Sequence, residues 1–412
     1  MAIRSVSEII ESISSGKSDL EGVQKEFSAI YDECIGKRKD LSQAPVLKVG
    51  PAAKKSKVRI AISVDDALNW GFSLTSTIHA LRQFESIEVV YLWYAAVDTL
   101  AVKEGVSQKE MIDKLLKEHQ VDGVVIPGNG HDIHPKLYDE ELDGSKVNPD
   151  FPDRPTPRNS FEHALVSRCR DKGVPVLGLC GGHHILAIVA GGKIKQHMEG
   201  HKKPVPREGM LTPHRFTHVN ISDASTVGGY LRQKLKLPRG IYGKEFYALV
   251  KAQSMPAAKA GGGDYEVVLD EASERVMVSY AANCCHHQVA SPTKEFNKGM
   301  LVTGIDGEDG YIEIIESRSG SFYVSVQHHP EFNAAKDGVP RFYFLALVDA
   351  AESFQSKRLM LDEYKLADHL VRLKPTLDQG LFFSRNRNGD EGYISALSLL
   401  DADGVITGAK AS

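Results

Sequence analysis

The chain has 412 residues, 42% hydrophobic and 25% charged, with a net charge of −4. That composition excludes a disordered or fibrous chain and leaves ample length for a buried core, in one large domain with extensions or in two or three domains. The charge balance gives no reason for a nucleic-acid or membrane partner, and no apolar run approaches the ~20 residues that span a bilayer.

Five cysteines, an odd number without CxxC spacing, fit reduced thiols rather than a disulfide framework or a zinc site. With no apolar signal core near Met1, a cytoplasmic protein is expected.

Residues 1–41 read as two amphipathic helices. Val6, Ile9, Ile10 and Ile13 recur at helical spacing, as do Val23, Phe27, Ile30, Tyr31 and Cys34, with Ser15-Gly16 between the two sets. Ala44 to Lys57 is linker-like in composition. An α/β pattern then begins. Val58–Val64, Ile87–Tyr94, Val121–Ile126 and Val174–Leu179 read as strands. Between them, Ser73–Phe84, Val106–His119 and Asn159–Lys172 read as helices. Ser107 and Glu110 have capping-box spacing, and Asn159 is the expected cap of its helix. Nearly continuous apolar strands alternating with helices predict a doubly wound, mostly parallel sheet flanked by helices.

Past Gly192 the strand-like segments are Thr217–Ile221, Val276–Tyr280, Tyr311–Glu316 and Phe322–Gln327. Gly261–Gly263 reads as a flexible loop. Helices are expected over 340–354, with Pro340 at the start, and over Leu359–Leu373; the final stretch shows little pattern. The division that follows is a helical extension and linker (1–55), a catalytic domain (56–356) and a helical or irregular tail (357–412).

One segment carries a chemical signal. In Val176-Leu177-Gly178-Leu179-Cys180-Gly181-Gly182 an apolar strand ends at a cysteine, and glycines lead into an apolar helix, Ile185–Ala190. Such a strand-to-helix elbow projects its middle side chain from the sheet, and a helix N-terminus favours a thiolate. From this segment alone a buried, inert cysteine is an equal reading. A second segment, Gln327-His328-His329-Pro330-Glu331, delivers a histidine near a strand end with a carboxylate two residues on. That spacing lets the acid hold the far imidazole nitrogen while the near one moves protons. A chance surface His and Glu is the plain alternative.

Together these motifs resemble the class I glutamine amidotransferase-like superfamily, and more narrowly its γ-glutamyl hydrolase branch, which includes γ-glutamyl-γ-aminobutyrate hydrolases. Three further stretches carry the likeness: Ile126-Pro127-Gly128-Asn129-Gly130 with Asp132, Pro135 and Tyr138; Arg158-Asn159-Ser160-Phe161-Glu162; and His286-His287-Gln288 followed by Asp309-Gly310 and Ile312-Glu313. The resemblance implies a Cys180–His329–Glu331 triad. It also implies an oxyanion hole from the Gly181 N–H and an N–H around Gly128-Asn129, with His184, His287 and Gln288 on the substrate side. Departures from the family pattern are His184 in place of the usual Gln, Gly181 where the branch often has Arg, and Asn129 at the second glycine of the oxyanion loop.

The implied reaction is hydrolysis of a γ-glutamyl amide through a thioester, on a small-molecule substrate and without cofactor or metal. His197 and His201 stand four apart, but Gly200 and Lys202-Lys203-Pro204 argue against a helix there. One alternative is a glutaminase subunit that supplies ammonia to a separate synthase; no Gly-x-x-x-x-Gly-Lys loop is present for a fused one. Another is a binding or regulatory member of the fold without turnover. The terminal extensions are expected to mediate self-association or docking of a protein partner, or else to cover exposed core.

Overall fold

The computed structural model describes residues 6–17, 20–36, 57–64, 72–198, 215–238, 240–252, 265–318, 322–334 and 339–364. The expected flexible loop at 261–263, most of the linker, His201 and the tail beyond 364 lie outside them.

Two helices, α1 (Val6–Ser14) and α2 (Leu20–Gly36), precede β1 (Val58–Val64). The order continues with α3 (Phe72–Arg82), β2 (Ile87–Trp93), α4 (Tyr94–Glu104), α5 (Gln108–Glu118), β3 (Gly123–Ile126), α6 (Pro157–Lys172), β4 (Val176–Leu179) and α7 (Gly181–Val189). Then come β5 (Lys193–Lys195), β6 (Arg215–Asn220), α8 (Thr226–Lys234), α9 (Gly243–Ala252), β7 (Tyr265–Asp270), β8 (Arg275–Ala282) and β9 (Val289–Ser291). The last elements are α10 (Lys294–Gly299), β10 (Met300–Asp306), β11 (Ile312–Ser317), β12 (Tyr323–Val326) and α11 (Val339–Tyr364).

Ten strands form one sheet in the order β2-β1-β3-β4-β12-β11-β10-β6-β8-β7. From β2 to β12 neighbours run parallel; from β12 to β7 they run antiparallel. Successive side chains of a strand face opposite sides of the sheet, so the sheet separates two cores. Ile60, Ile62, Leu177 and Val326 pack with α2, α3 and α11. Ala61, Val124, Val176 and Tyr323 pack with α5, α6 and α7.

The expected helical extension is present, and its apolar faces are used within the chain: Ile9, Ile13, Val23, Phe27, Ile30 and Tyr31 are buried in the first core. Phe27 meets Tyr91 and Trp93 of β2, each with ring centroids 5.8 Å apart. The capping box at Ser107 and Glu110 forms as expected. Asn159 does not cap α6. Thr156 does, its side chain accepting from the Asn159 N–H, with Pro157 at the first helical position. The helix expected over 340–354 runs on without a breaker into the start of the one expected over Leu359–Leu373, as α11 to Tyr364; residues 365–373 lie outside the described residues. Among the described residues, no helix is long and apolar enough to cross a membrane.

Candidate active site

Strands β4 and β12 are far apart in sequence but adjacent and parallel in the sheet, with Leu179 paired to Val326. Their ends therefore open on the same rim. Cys180 follows one and His329 the other, and the Cys180 N–H donates to the Val326 carbonyl at 2.9 Å. Strand β3 lies on the other side of β4, with Ile126 paired to Gly178, so the Pro127–Asn129 loop leaves from that rim too. Carboxyl ends of parallel strands are where open α/β sheets place their sites.

The turn at Cys180 is sharp. Its backbone has φ 50° and ψ −104°, at the N-cap position of α7. Side-chain-bearing residues avoid this region, and such conformations cluster where chemistry needs them. Glycines make the turn sterically feasible. A Cβ on Gly178 would come within 2.7 Å of the Gly182 carbonyl oxygen, and one on Gly182 would overlap the Ile126 carbonyl oxygen. A Cβ on Gly181 would lie 2.8 Å from the Asn129 nitrogen. The elbow and the Gly128-Asn129 loop are thus in direct backbone contact.

His329 and Glu331 sit in a short helical turn, Pro330–Phe332, that follows β12. His329 Nδ1 is 2.7 Å from Glu331 Oε1, and its ring stacks on Phe332 at a 10° interplanar angle. Burial disfavours the imidazolium, but Cys180 and the Glu331 carboxylate outweigh it through charge and hydrogen bonding. The His329 pKa is therefore raised well above its ordinary value. Adjacent strand ends bring Cys180 and His329 to the same rim, and all three side chains are buried.

The remaining expected residues are distributed around this centre. Gly128 lies against His329 Cε1, and Asn129 against Gly181. His184 is buried on α7. Burial first, then the neighbouring His183 and His286, push its pKa down to about 3, so its ring is neutral. His287 Nε2 is 3.1 Å from Asp132 Oδ1 and its Nδ1 is 3.1 Å from His197 Nδ1, tying the loop after β3 to the segment after β8. His197 lies in irregular chain rather than a helix. Gln288 is buried and donates to Ser145 Oγ at 2.7 Å and the Gln196 carbonyl at 3.2 Å. Cys169, Cys180, Cys284 and Cys285 are free thiols.

Ser73 escaped the sequence reading as a site residue, and Glu313 was legible only within the Ile312-Glu313 motif. Ser73, on α3, donates to Glu331 Oε1 at 2.6 Å, and its Oγ accepts from the Gly128 N–H at 3.3 Å. Nothing local marks a serine whose partner is 258 positions away. Glu313, on β11, is buried between His286 (3.3 Å) and His328 (3.7 Å). Burial opposes its charge, yet the two imidazoles hold its carboxyl far below the usual range. His328 Nε2 lies 3.1 Å from the Tyr280 hydroxyl, itself 2.7 Å from the Tyr343 hydroxyl. This buried polar network supports the strand end that carries His329.

The peptidase C26 family model matches residues 99–234 and 224–331. The chain belongs to the peptidase C26 family. It is a hydrolase of the glutamine amidotransferase-like type. It is 25% identical over 269 residues to a glutamine amidotransferase-like protein of Rickettsia prowazekii, covering 63% of this chain and 90% of that protein. It is 22% identical over 277 residues to the γ-glutamyl-γ-aminobutyrate hydrolase of Escherichia coli K12, covering 66% of this chain and 88% of the relative. Among solved structures it is similar to the glutaminase domain of Trypanosoma brucei CTPS, at 14% identity and a TM-score of 0.42, covering 72% and 94% of the two chains.

Proposed function

We propose that this peptidase C26 member cleaves a γ-glutamyl amide bond, with Cys180 as nucleophile, His329 as acid and base, and Glu331 as the group that orients His329. The observation that carries the reading is that His329, 2.7 Å from a carboxylate, and a cysteine held on a strand-to-helix elbow follow the ends of two adjacent parallel strands. A carboxylate on Nδ1 leaves Nε2 to exchange protons with the reacting groups.

Paired with the His329 imidazolium, the Cys180 thiolate attacks the amide carbonyl carbon. The carbonyl oxygen becomes an oxyanion facing the Gly181 and Asn129 N–H groups. As the tetrahedral species collapses, His329 gives its proton to the departing amine and a thioester remains. Water, deprotonated by His329, then attacks the thioester and releases γ-glutamate and the thiol. Each oxyanion donor is worth about 3 kcal/mol in comparable sites. The relative from Escherichia coli, named for this type of substrate, supports the reading.

A glutaminase subunit feeding a separate synthase is the second reading, favoured by the relatives named glutamine amidotransferase-like. Purified protein offered γ-glutamyl amines, γ-glutamyl peptides, poly-γ-glutamate and glutamine decides between them, with Cys180→Ala as control. Amine release from a γ-glutamyl compound without a partner supports hydrolysis. Ammonia from glutamine only on adding a synthase supports the second reading. No turnover together with a Cys180 inert to thiol probes rejects both.

A further inference from the structure

The Arg158–Glu162 pair, one turn apart on α6, has no part in the acyl transfer described above, yet it is buried beside it. Arg158 Nε lies 2.8 Å from Glu162 Oε1, with side chains 8% and 1% exposed. The same carboxylate oxygen accepts from Ser63 Oγ of β1 at 2.7 Å. A buried guanidinium is unfavourable unless its donors are used. Here Nη2 reaches the Gly128 carbonyl at 3.0 Å. On the other side of the same residue, the Gly128 N–H donates to Ser73 Oγ, which in turn donates to Glu331.

In a trans peptide the C=O and the following N–H lie in one plane and point in opposite directions. Turning the Gly128 carbonyl toward Arg158 therefore turns the Asn129 N–H away from Arg158, and the Asn129 nitrogen lies against Gly181. Glycine has wide backbone freedom, so without a clamp this peptide could flip and present a carbonyl oxygen to a developing negative charge. We propose that Arg158, held by Glu162 and Ser63, is a positioning residue that sets the Gly128–Asn129 peptide so that its N–H receives the oxyanion. Ser73 holds the other side of Gly128 and links the loop to the triad acid. The proposal rests on the hydrolase reading above.

Two reactions of Cys180 separate this role from general support. Amide hydrolysis passes through an oxyanion. Alkylation by iodoacetamide does not: a sulfur–carbon bond forms at the methylene as the carbon–iodine bond breaks and iodide leaves. In Arg158→Gln, kcat falls about 100-fold with KM little changed, as on losing one oxyanion donor. The alkylation rate of Cys180 and its pH profile stay as in the wild type. Arg158→Lys, which retains one donor toward Gly128, recovers part of kcat. Should Arg158→Gln fail to fold, the double variant Arg158→Gln/Glu162→Gln leaves no lone buried charge and gives the same selective loss. Unchanged turnover, or alkylation and turnover falling together, overturns the proposal. A wild type that neither turns over γ-glutamyl amides nor alkylates at Cys180 removes the hydrolase reading and this proposal together. An active wild type beside equally active variants removes the proposal alone.

Discussion

At the end of β4 the backbone holds Cys180 at a positive φ, three glycines are pressed against neighbouring backbone, and imidazole and carboxyl groups are buried. Along the outer edge of β2 the arrangement is the reverse. There α2 lays apolar side chains on the strand, Arg82 sits 4.2 Å over the Tyr31 ring and bonds Asp32, and the Gln24 amide pairs with Tyr91. Both regions belong to one sheet and share the first core. The contrast sets a strained turn at the candidate site against an edge that the N-terminal helices stabilise by ordinary packing.

The largest expected effect tests the first half of that contrast. Cys180→Gly and His329→Ala each lower turnover by at least about 10⁴-fold, the scale seen when one member of a coupled catalytic set is removed. Cys180→Gly also raises stability by about 1 kcal/mol, since glycine accepts the positive φ without strain. Product release together with urea denaturation checks both. An inactive Cys180→Gly protein that is markedly less stable would show that the turn is not strained.

Phe27→Ala is the mirror image. Its ring is buried against Tyr91 and Trp93, and truncation costs about 3–5 kcal/mol. The folded fraction keeps wild-type kcat at low temperature. A kcat loss at full folding would mean the edge communicates with the site.

The buried histidines of the site carry a pH signature of their own. Burial pushes His183 down to about 4 and His184 to about 3, whereas unfolded histidine titrates near ~6.5. The unfolded chain therefore takes up protons first. Their contribution to stability is complete above ~pH 6.5 and falls as pH drops toward those folded values, by about 2 kcal/mol for one such group between ~6.5 and ~5. His329 has the opposite sign: its raised pKa adds stability below ~pH 6.5 that is lost as pH rises through the folded value. Expected for His184→Gln is a urea midpoint that falls less than wild type between pH 7 and 5 and follows the wild-type profile above pH 7. Parallel profiles across the whole range would place His184 in a wetter setting than its burial implies.

What could be read from the sequence was what local spacing encodes. The parallel strands were visible as apolar runs, the elbow as a strand ending in Cys-Gly-Gly, and the His329–Glu331 pairing as a two-residue step. Segments whose periodicity is broken were not. Strand β10 carries register shifts around Gly304, whose backbone lies on Ile314, and α4 follows β2 directly from Trp93 without a side-chain cap. Arg158 and Glu162 were legible only as a motif at a helix entrance. Their hold on Gly128, like that of Ser73, depends on which strand lies beside β4, and sheet order is not written in local spacing. The amphipathic spacing of α1 and α2 was legible, but not that its partner is this chain's own β2 and the helices packed around it.

The smallest effect concerns how that edge is closed. An edge strand presents unpaired N–H and C=O groups. At Tyr91 both are met by one side chain: Gln24 Oε1 accepts from the Tyr91 N–H at 2.7 Å, and Gln24 Nε2 donates to the Tyr91 carbonyl at 2.8 Å. A carboxamide offers a donor and an acceptor side by side, the same pair that a neighbouring strand residue would present. Gln24→Leu keeps the bulk and removes both bonds. The site is half-buried, so water can reach part of it, and the expected loss is about 1–2 kcal/mol, seen in urea denaturation without any change in kcat. Gln24→Glu keeps the acceptor but turns a charged oxygen toward the Tyr91 carbonyl. Its loss is at least as large at pH 7 and shrinks on acidification, when protonation restores a donor. If Gln24→Glu were as stable as the wild type at pH 7, the edge would be held by the packing of Phe27 and Tyr31 alone.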